Sequence, residues 1–162
     1  MKQLFELVKR NPTGGGRLGC LNLAGRSLTT PLFMPVATQG ALKAFDHAYL
    51  ERIKVELLLA NTYHLFLRPG LDTLAQFGGL KTFARLDAAL LTDSGGFQAF
   101  SLSPLVKFSD MGIEFRSHHD GSKHLFTPES VLEAQRVMGS DIRMLLDQVV
   151  PFGKDKEVYR TA

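Results

Sequence analysis

The stretch Thr92-Asp93-Ser94-Gly95-Gly96-Phe97-Gln98 concentrates groups able to do chemistry. An apolar run ends in a carboxylate, and a hydroxyl, two glycines, an aromatic ring and an amide follow. The glycines let a ligand come close to the backbone and expose N–H donors. Asp93 can act as a general acid or base, Ser94 and Gln98 can hydrogen-bond, and Phe97 offers a ring for stacking. The same pattern also suits a plain strand-to-helix turn in which Asp93 caps the helix. Asp147 closes a second apolar run, Ile142-Arg143-Met144-Leu145-Leu146. A carboxylate buried there needs partners. Its two oxygens can accept a pair of N–H groups from one edge of a purine, as N1 and N2 of guanine present them. They can equally sit in an ion pair within the core.

Three further groups invite the same question. Asn61-Thr62-Tyr63-His64 leaves another apolar run, and His64 can be a proton donor, a ligand or a backbone-bonded structural residue. Arg68-Pro69-Gly70 places a guanidinium before a helix start, where it can hold a phosphate or a carboxylate of the fold. The cluster His118-His119-Asp120-Gly121-Ser122-Lys123-His124 resembles a metal site at first sight. On a hairpin, adjacent residues point to opposite faces, so His118 and His119 are expected not to share an ion. No metal ligand is assigned.

Positioning these groups requires strands and helices. Residues 32–38, 55–61, 88–93 and 142–147 are short, nearly continuous apolar runs, the pattern of strands buried on both faces of a parallel sheet. They end in Thr38, Asn61, Asp93 and Asp147, and the gaps between them are long enough for crossovers. Asp46 can cap a helix carrying Tyr49, Leu50 and Ile53. Pro69 suits the first turn of a helix with Leu71, Leu74 and Ala75 on one side, stopped by Gly78-Gly79. Thr127-Pro128-Glu129 reads as cap, first-turn proline and dipole-favoured acid, and Val131, Ala134, Gln135 and Met138 follow at helical spacing before Gly139. Residues 112–117 alternate with period two, Asp120-Gly121 signals a type I′ hairpin turn, and Leu125-Phe126 returns the chain. Gly14-Gly15-Gly16 is an early turn without the Lys-Ser/Thr of a phosphate loop.

The expected order is β-α-β-α-β-(hairpin)-α-β. Repetition of such units gives an open doubly wound sheet or a barrel, and both place function at the carboxyl ends of the strands. An eight-unit barrel needs ~250 residues, so about four units are present.

Composition sets the outer limits. The 162 residues suit one domain over 1–162, with 44% hydrophobic and 22% charged residues as in an ordinary folded protein. No apolar run is long enough for a membrane span, and the first residues lack the core of a signal peptide. A net charge of +3 permits RNA as a partner without requiring it. The single cysteine, Cys20, makes neither an internal disulfide nor a Cys-rich zinc site, so a reducing, cytoplasmic setting is expected.

Taken in order, the motifs are similar to those of one family. They are Met34-Pro35-Val36-Ala37-Thr38-Gln39-Gly40, Asn61-Thr62-Tyr63-His64-Leu65, Leu67-Arg68-Pro69-Gly70 and Gly78-Gly79-Leu80. Leu91-Thr92-Asp93-Ser94-Gly95-Gly96-Phe97-Gln98, Phe115-Arg116-Ser117-His118, Asp120-Gly121-Ser122-Lys123-His124 and Ser140-Asp141-Ile142 follow. From about Arg17 to Pro151 the chain resembles the amino-terminal part of the tRNA-guanine transglycosylase (queuine tRNA-ribosyltransferase) family. The resemblance implies an irregular (β/α)8 TIM barrel, of which this would be the amino-terminal half with an inserted antiparallel hairpin.

It also implies a pentosyltransferase that exchanges guanine at the wobble position of a tRNA anticodon for a 7-deazaguanine base. An aspartate attacks the ribose to give a covalent aspartyl-ribosyl intermediate, and the target nucleotide leaves its stack. Carried over, Asp93 matches the general acid/base and Asp147 the carboxylate that reads the base edge. Phe97 matches the stacking aromatic, and Ser94 and Gln98 match polar neighbours in the pocket. The family's nucleophilic aspartate and its zinc site of three cysteines and one histidine find no match, so no cofactor is assigned to this chain. The isolated chain is expected to lack base exchange.

Gln148-Val149-Val150-Pro151 departs from the Asp-Glu-Cys-Thr-Pro usual in enzymes for the small base preQ1. Valine at the position of Val149 accompanies acceptance of queuine, so queuine is favoured. The partners implied are a tRNA anticodon loop and queuine or preQ1. Unpaired sheet edges also favour a homo-oligomer or hetero-dimer. Lys43, Arg52, Lys54, Arg68, Lys107, Arg116 and Lys123 are candidates for tRNA contact. The alternative reading is a truncated or partner-type module that holds tRNA or another subunit without chemistry.

Overall fold

A computed structural model describes residues 3–23, 25–102, 105–150 and 152–160; Pro151 and the two ends of the 1–162 reading lie outside them. The chain begins with an antiparallel meander of β1 (Phe5–Arg10), β2 (Arg17–Leu23) and β3 (Arg26–Thr30). The turn at the glycine run joins β1 to β2, where the Asn11 N–H reaches the Gly16 carbonyl at 2.9 Å. Sequence reading missed this sheet. A register shift between Leu7 and Lys9 breaks the alternation of β1, and every residue of that strand is exposed.

The centre is a parallel sheet of β4 (Leu57–Ala60), β5 (Ala89–Thr92) and β9 (Ile142–Arg143), in that order. The run predicted at 32–38 joins it as a short parallel row beside β4. Val36 bridges Leu59, the Ala37 N–H donates to Leu59, and the Leu59 N–H donates to Pro35 at 3.0 Å. The run predicted at 142–147 keeps its ladder for two residues only. Asp141 fixes the start of that ladder. Its carboxylate accepts the Leu90 N–H at 2.8 Å and the Lys81 ammonium at 2.9 Å.

Helices occupy the crossovers. Asp46 accepts the Tyr49 N–H at 2.7 Å and so caps α1 (His47–Ile53), as its sequence suggests. The short α2 (Thr62–Leu65) leaves β4 and runs into a π-helical turn, Phe66–Gly70. Pro69 therefore precedes α3 (Leu71–Gln76) rather than opening it. Arg68 is extended at φ −150°, as a residue before proline prefers, and Gly70 at φ +93° caps the helix. After α4 (Leu80–Phe83) and β5 comes α5 (Gly96–Leu102). A second antiparallel sheet, β6 (Val106–Ser109), β7 (Gly112–Arg116) and β8 (Lys123–Phe126), precedes α6 (Pro128–Val137). The Thr127 hydroxyl accepts the Ser130 N–H and the Ser130 hydroxyl accepts the Thr127 N–H, a reciprocal cap. A last helix, α7, covers Lys156–Arg160.

The turn between β7 and β8 differs from the expected two-residue type. The Ser117 N–H bonds the Ser122 carbonyl at 2.8 Å, which leaves the four-residue loop 118–121, and within it only Gly121 has positive φ. A type I′ turn would need positive φ at Asp120 too.

Three apolar clusters fix these layers. Leu65, Leu74, Leu80, Leu90, Ala134 and Met138 join α2, α3, α4 and α6 to β5. Tyr63, Ala99, Ile113, Phe115, Phe126 and Val131 join the β6–β8 sheet to α2, α5 and α6. Leu23 and Leu28 of the meander meet Leu57 and Ala89, the first residues of β4 and β5. The meander thus packs at the amino end of the parallel sheet, opposite the end where Asp93 emerges. Among the described residues, no helix is long and apolar enough to cross a membrane.

Leu80 is fully buried, so Leu80→Ala is expected to lower stability by about 2–5 kcal/mol through lost burial and a residual cavity. Thr127→Ala, which removes one hydroxyl from the α6 cap, is expected to cost about 1 kcal/mol. Urea unfolding midpoints of the two variants check the order; a larger loss for the cap variant would contradict this packing.

Candidate active site at the carboxyl ends of the parallel strands

The strand ends converge on Asp93. This residue follows β5 directly, and its N–H donates to the Ala60 carbonyl at the end of β4 at 3.2 Å. Its carboxylate is held from three sides. The Thr62 N–H donates to Oδ1 at 2.8 Å, the Gln98 amide donates to Oδ2 at 3.2 Å, and the Asn61 amide donates to the same oxygen. The Thr62 hydroxyl donates to the Asp93 carbonyl at 2.5 Å. Asp93 is therefore not the cap of α5. The helix starts at Gly96, whose N–H donates to the Ser94 Oγ at 3.2 Å.

Ser94 also connects the second carboxylate. Its hydroxyl donates to Asp147 Oδ1 at 2.5 Å. The sequence put Asp147 at a buried strand end. In the structure it lies four residues beyond β9 in a run without regular secondary structure, and it is exposed. Neither a core position nor an ion pair holds it. The reach is possible because position 96 is glycine. A Cβ there would stand 2.6 Å from the Asp147 carbonyl oxygen. Gly95, at φ +77°, makes the preceding turn, with Tyr63 and Phe126 pressed against it.

Phe97 follows on α5 and is 57% exposed. Among the described residues, the buried Gln98 Oε1 meets no hydrogen-bond partner. Val149 is half-buried two residues beyond Asp147. The structure thus gathers Asp93, Ser94, Gln98 and Asp147 through hydrogen bonds, with Phe97 between Gly96 and Gln98. Sequence reasoning quoted Asn61 and Thr62 but did not see that they hold Asp93. No local signal marked this, since both act from the end of the neighbouring strand and strand order is a property of the fold.

Beside this group lies an aromatic and imidazole cluster. The Tyr63 hydroxyl and His118 Nδ1 are 2.9 Å apart, and the two rings stack. The His64 ring meets that of His118 edge-on at 5.9 Å. Burial and then the neighbouring His118 push the His64 imidazole below its ordinary value of 6.5, against the opposing pull of Asp93. Burial raises the Tyr63 phenol. The expectation that His118 and His119 face apart is incorrect, for their ring centroids are 3.9 Å apart. Both sit in the loop beyond the end of β7, where strand alternation no longer applies. Among the described residues, no three His, Cys, Asp or Glu side chains come together to hold a metal ion. A three-cysteine zinc site does not fit this chain, whose lone Cys20 has its thiol 3.7 Å from the Asn22 amide oxygen.

The basic candidates are scattered. Arg116 donates to the Gly121 carbonyl at 2.9 Å, and Lys123 lies 4.0 Å from Glu114. Arg68 lines a hollow of about 430 Å³ with His119 and His124. Lys54 borders a different hollow, with Arg26 and Arg85.

The chain also matches known proteins in sequence. Residues 12–162 match the family model described as Queuine tRNA-ribosyltransferase. A queuine tRNA-ribosyltransferase of Nitratidesulfovibrio vulgaris is 54% identical over 143 residues, 88% of this chain and 38% of that protein. One from Leptospira biflexa is 52% identical over 155 residues, covering 96% of this chain and 42% of its own length. One from Borrelia duttonii is 49% identical over 152 residues, covering 94% and 40%. The chain thus spans about 40% of the length of the relatives it matches. A match over nearly all of its residues at this identity shows that the chain belongs to the queuine tRNA-ribosyltransferase family.

Proposed function

We propose that this chain is the base-reading part of a tRNA-guanine transglycosylase. The complete enzyme exchanges guanine at the anticodon wobble position for a 7-deazaguanine base through a covalent aspartyl-ribosyl intermediate, in the cytoplasm. The observation that carries the reading is the bond from Ser94 to Asp147. It ties one carboxylate to the chain neighbour of the other at a single sheet end. The parallel rows from Pro35 to Arg143 are read as the first strands of a TIM barrel, within one domain over 1–162, with the β6–β8 sheet inserted before the last of them. Pairing at the open edges of such a sheet supports a homo-oligomer or hetero-dimer.

The chemistry follows from the groups present. An exposed carboxylate with one oxygen on Ser94 keeps lone pairs for two parallel N–H donors on a guanine edge. The Phe97 ring stacks on the face of the base. Gln98 borders the same group, its amide donating to Asp93. When the glycosidic bond breaks, its electron pair goes to the base nitrogen, which gains a proton; when the new base attacks, its nitrogen loses one. Asp93, fixed by Asn61, Thr62 and Gln98, is the group that holds that proton. The attacking aspartate and the zinc that the family implies are assigned to no residue of this chain. The substrates are a tRNA anticodon loop and a free base, with queuine preferred to preQ1 on the ground that position 149 is valine.

Exchange of labelled guanine into tRNA by the complete protein tests each role. Asp93→Asn is expected to lower kcat by about 10²–10⁴-fold, and an unaltered kcat would remove Asp93 from the proton transfer. Phe97→Ala is expected to raise the guanine KM on the order of tenfold, as lost base stacking requires. In competition, queuine is expected to show the higher kcat/KM, with Val149→Cys moving the ratio toward preQ1. A preQ1 preference in the unaltered protein overturns the assignment of Val149.

A further inference from the structure

Gln135 takes no part in the chemistry above, yet it is a fully buried polar side chain on α6. A buried amide is tolerated only when its donors and acceptor are engaged. Here they are. Gln135 Oε1 accepts the Thr92 hydroxyl at 2.7 Å and the Met144 N–H at 2.9 Å, while Nε2 donates to the Met144 carbonyl at 2.8 Å. One side chain grips both polar groups of the Met144 backbone, as a neighbouring strand would. It does so where the two-residue ladder of β9 has just ended.

Both ends of this clamp lead to the site. Thr92 is the last residue of β5 and immediately precedes Asp93. Met144 stands three residues before Asp147, and no strand ladder holds the run between them. Past the clamp, Leu146 packs on the Tyr63, Phe115 and Phe126 cluster, and the Asp147 carbonyl rests against Gly96. Thr92 is further fixed by the Ser140 hydroxyl at 2.7 Å.

We infer that Gln135 is a positioning residue for base recognition. By holding Met144 to the end of β5, it sets where the Asp147 carboxylate stands relative to Asp93 and Ser94, and so sets guanine affinity. This rests on the reading of Asp147 as the group that meets the base edge. An apolar isostere at 135 leaves the Met144 N–H with the Thr92 carbonyl at 3.3 Å and takes the donor away from the Met144 carbonyl. The run then shifts and the carboxylate misses its target.

Labelled-guanine exchange into tRNA by the complete protein tests this, with folding followed by circular dichroism. Gln135→Met is expected to raise the guanine KM on the order of 10–100-fold with kcat within about threefold, the effect of a recognition group displaced by about 1 Å. A reduced folded fraction would do the reverse, lowering kcat and leaving KM unchanged. Gln135→Glu keeps an acceptor for the Met144 N–H and loses the donor. It is expected to fall between wild type and Gln135→Met, and it carries the test if Gln135→Met does not fold. Asp147→Ala, run alongside, is expected to raise the guanine KM at least as far. An unchanged KM in a folded Gln135 variant, beside a raised KM for Asp147→Ala, overturns the inference alone. Failure of both Gln135 variants to fold overturns it too. An unchanged KM for Asp147→Ala overturns the base-reading role beneath it.

Discussion

A parallel sheet whose strands run four, four and two residues leaves polar backbone exposed where each strand stops. Those groups must find partners, because an unmet buried donor or acceptor costs more than a met one gains. Here side chains supply them. Thr62 donates its hydroxyl to the Asp93 carbonyl and its own N–H to the Asp93 carboxylate. Gln135 does the same service for Met144. The bonds that finish the strands are therefore also the bonds that fix the Asp93 carboxylate and the run leading to Asp147.

The two antiparallel sheets make that arrangement stiff. The amino-terminal meander supports the far end of the strands through Leu23 and Leu28. The β6–β8 sheet supports the near side through Phe115 and Phe126, both packed on Tyr63. Tyr63 neighbours Thr62, and its hydroxyl reaches His118. The loop after β7 is in this way attached to the helix whose first N–H holds Asp93. Function rests on packed elements, with the mobile-looking glycines at 95 and 96 pinned between a ring and a carbonyl.

Some of this was legible in the residues. The apolar runs around Leu58 and Leu90 are buried parallel strands, and the caps at Asp46 and Thr127 stand where their side chains suggested. Asp93 and Asp147 were visible as carboxylates at the ends of apolar runs. Their partners were not, because Asn61, Thr62 and Ser94 act across strands and pairing order is not a local property. β1 escaped notice because its bulge and full exposure remove the alternation that marks a strand. Gln135 stood in plain view on an apolar helix face, beside Ala134 and Met138. A polar residue there signals a buried bond, but only the fold shows that its partner is the backbone leading to Asp147. The error over His118 and His119 came from carrying strand periodicity one residue into a loop.

Gly96 joins two parts that would otherwise move separately. With no side chain at this position, the first turn of α5 touches the backbone of Asp147 directly. Phe97 rides on the same turn. The contact is backbone to backbone, so a shift of that turn moves the Asp147 run with it. A side chain at position 96, even a methyl group, would force the two apart.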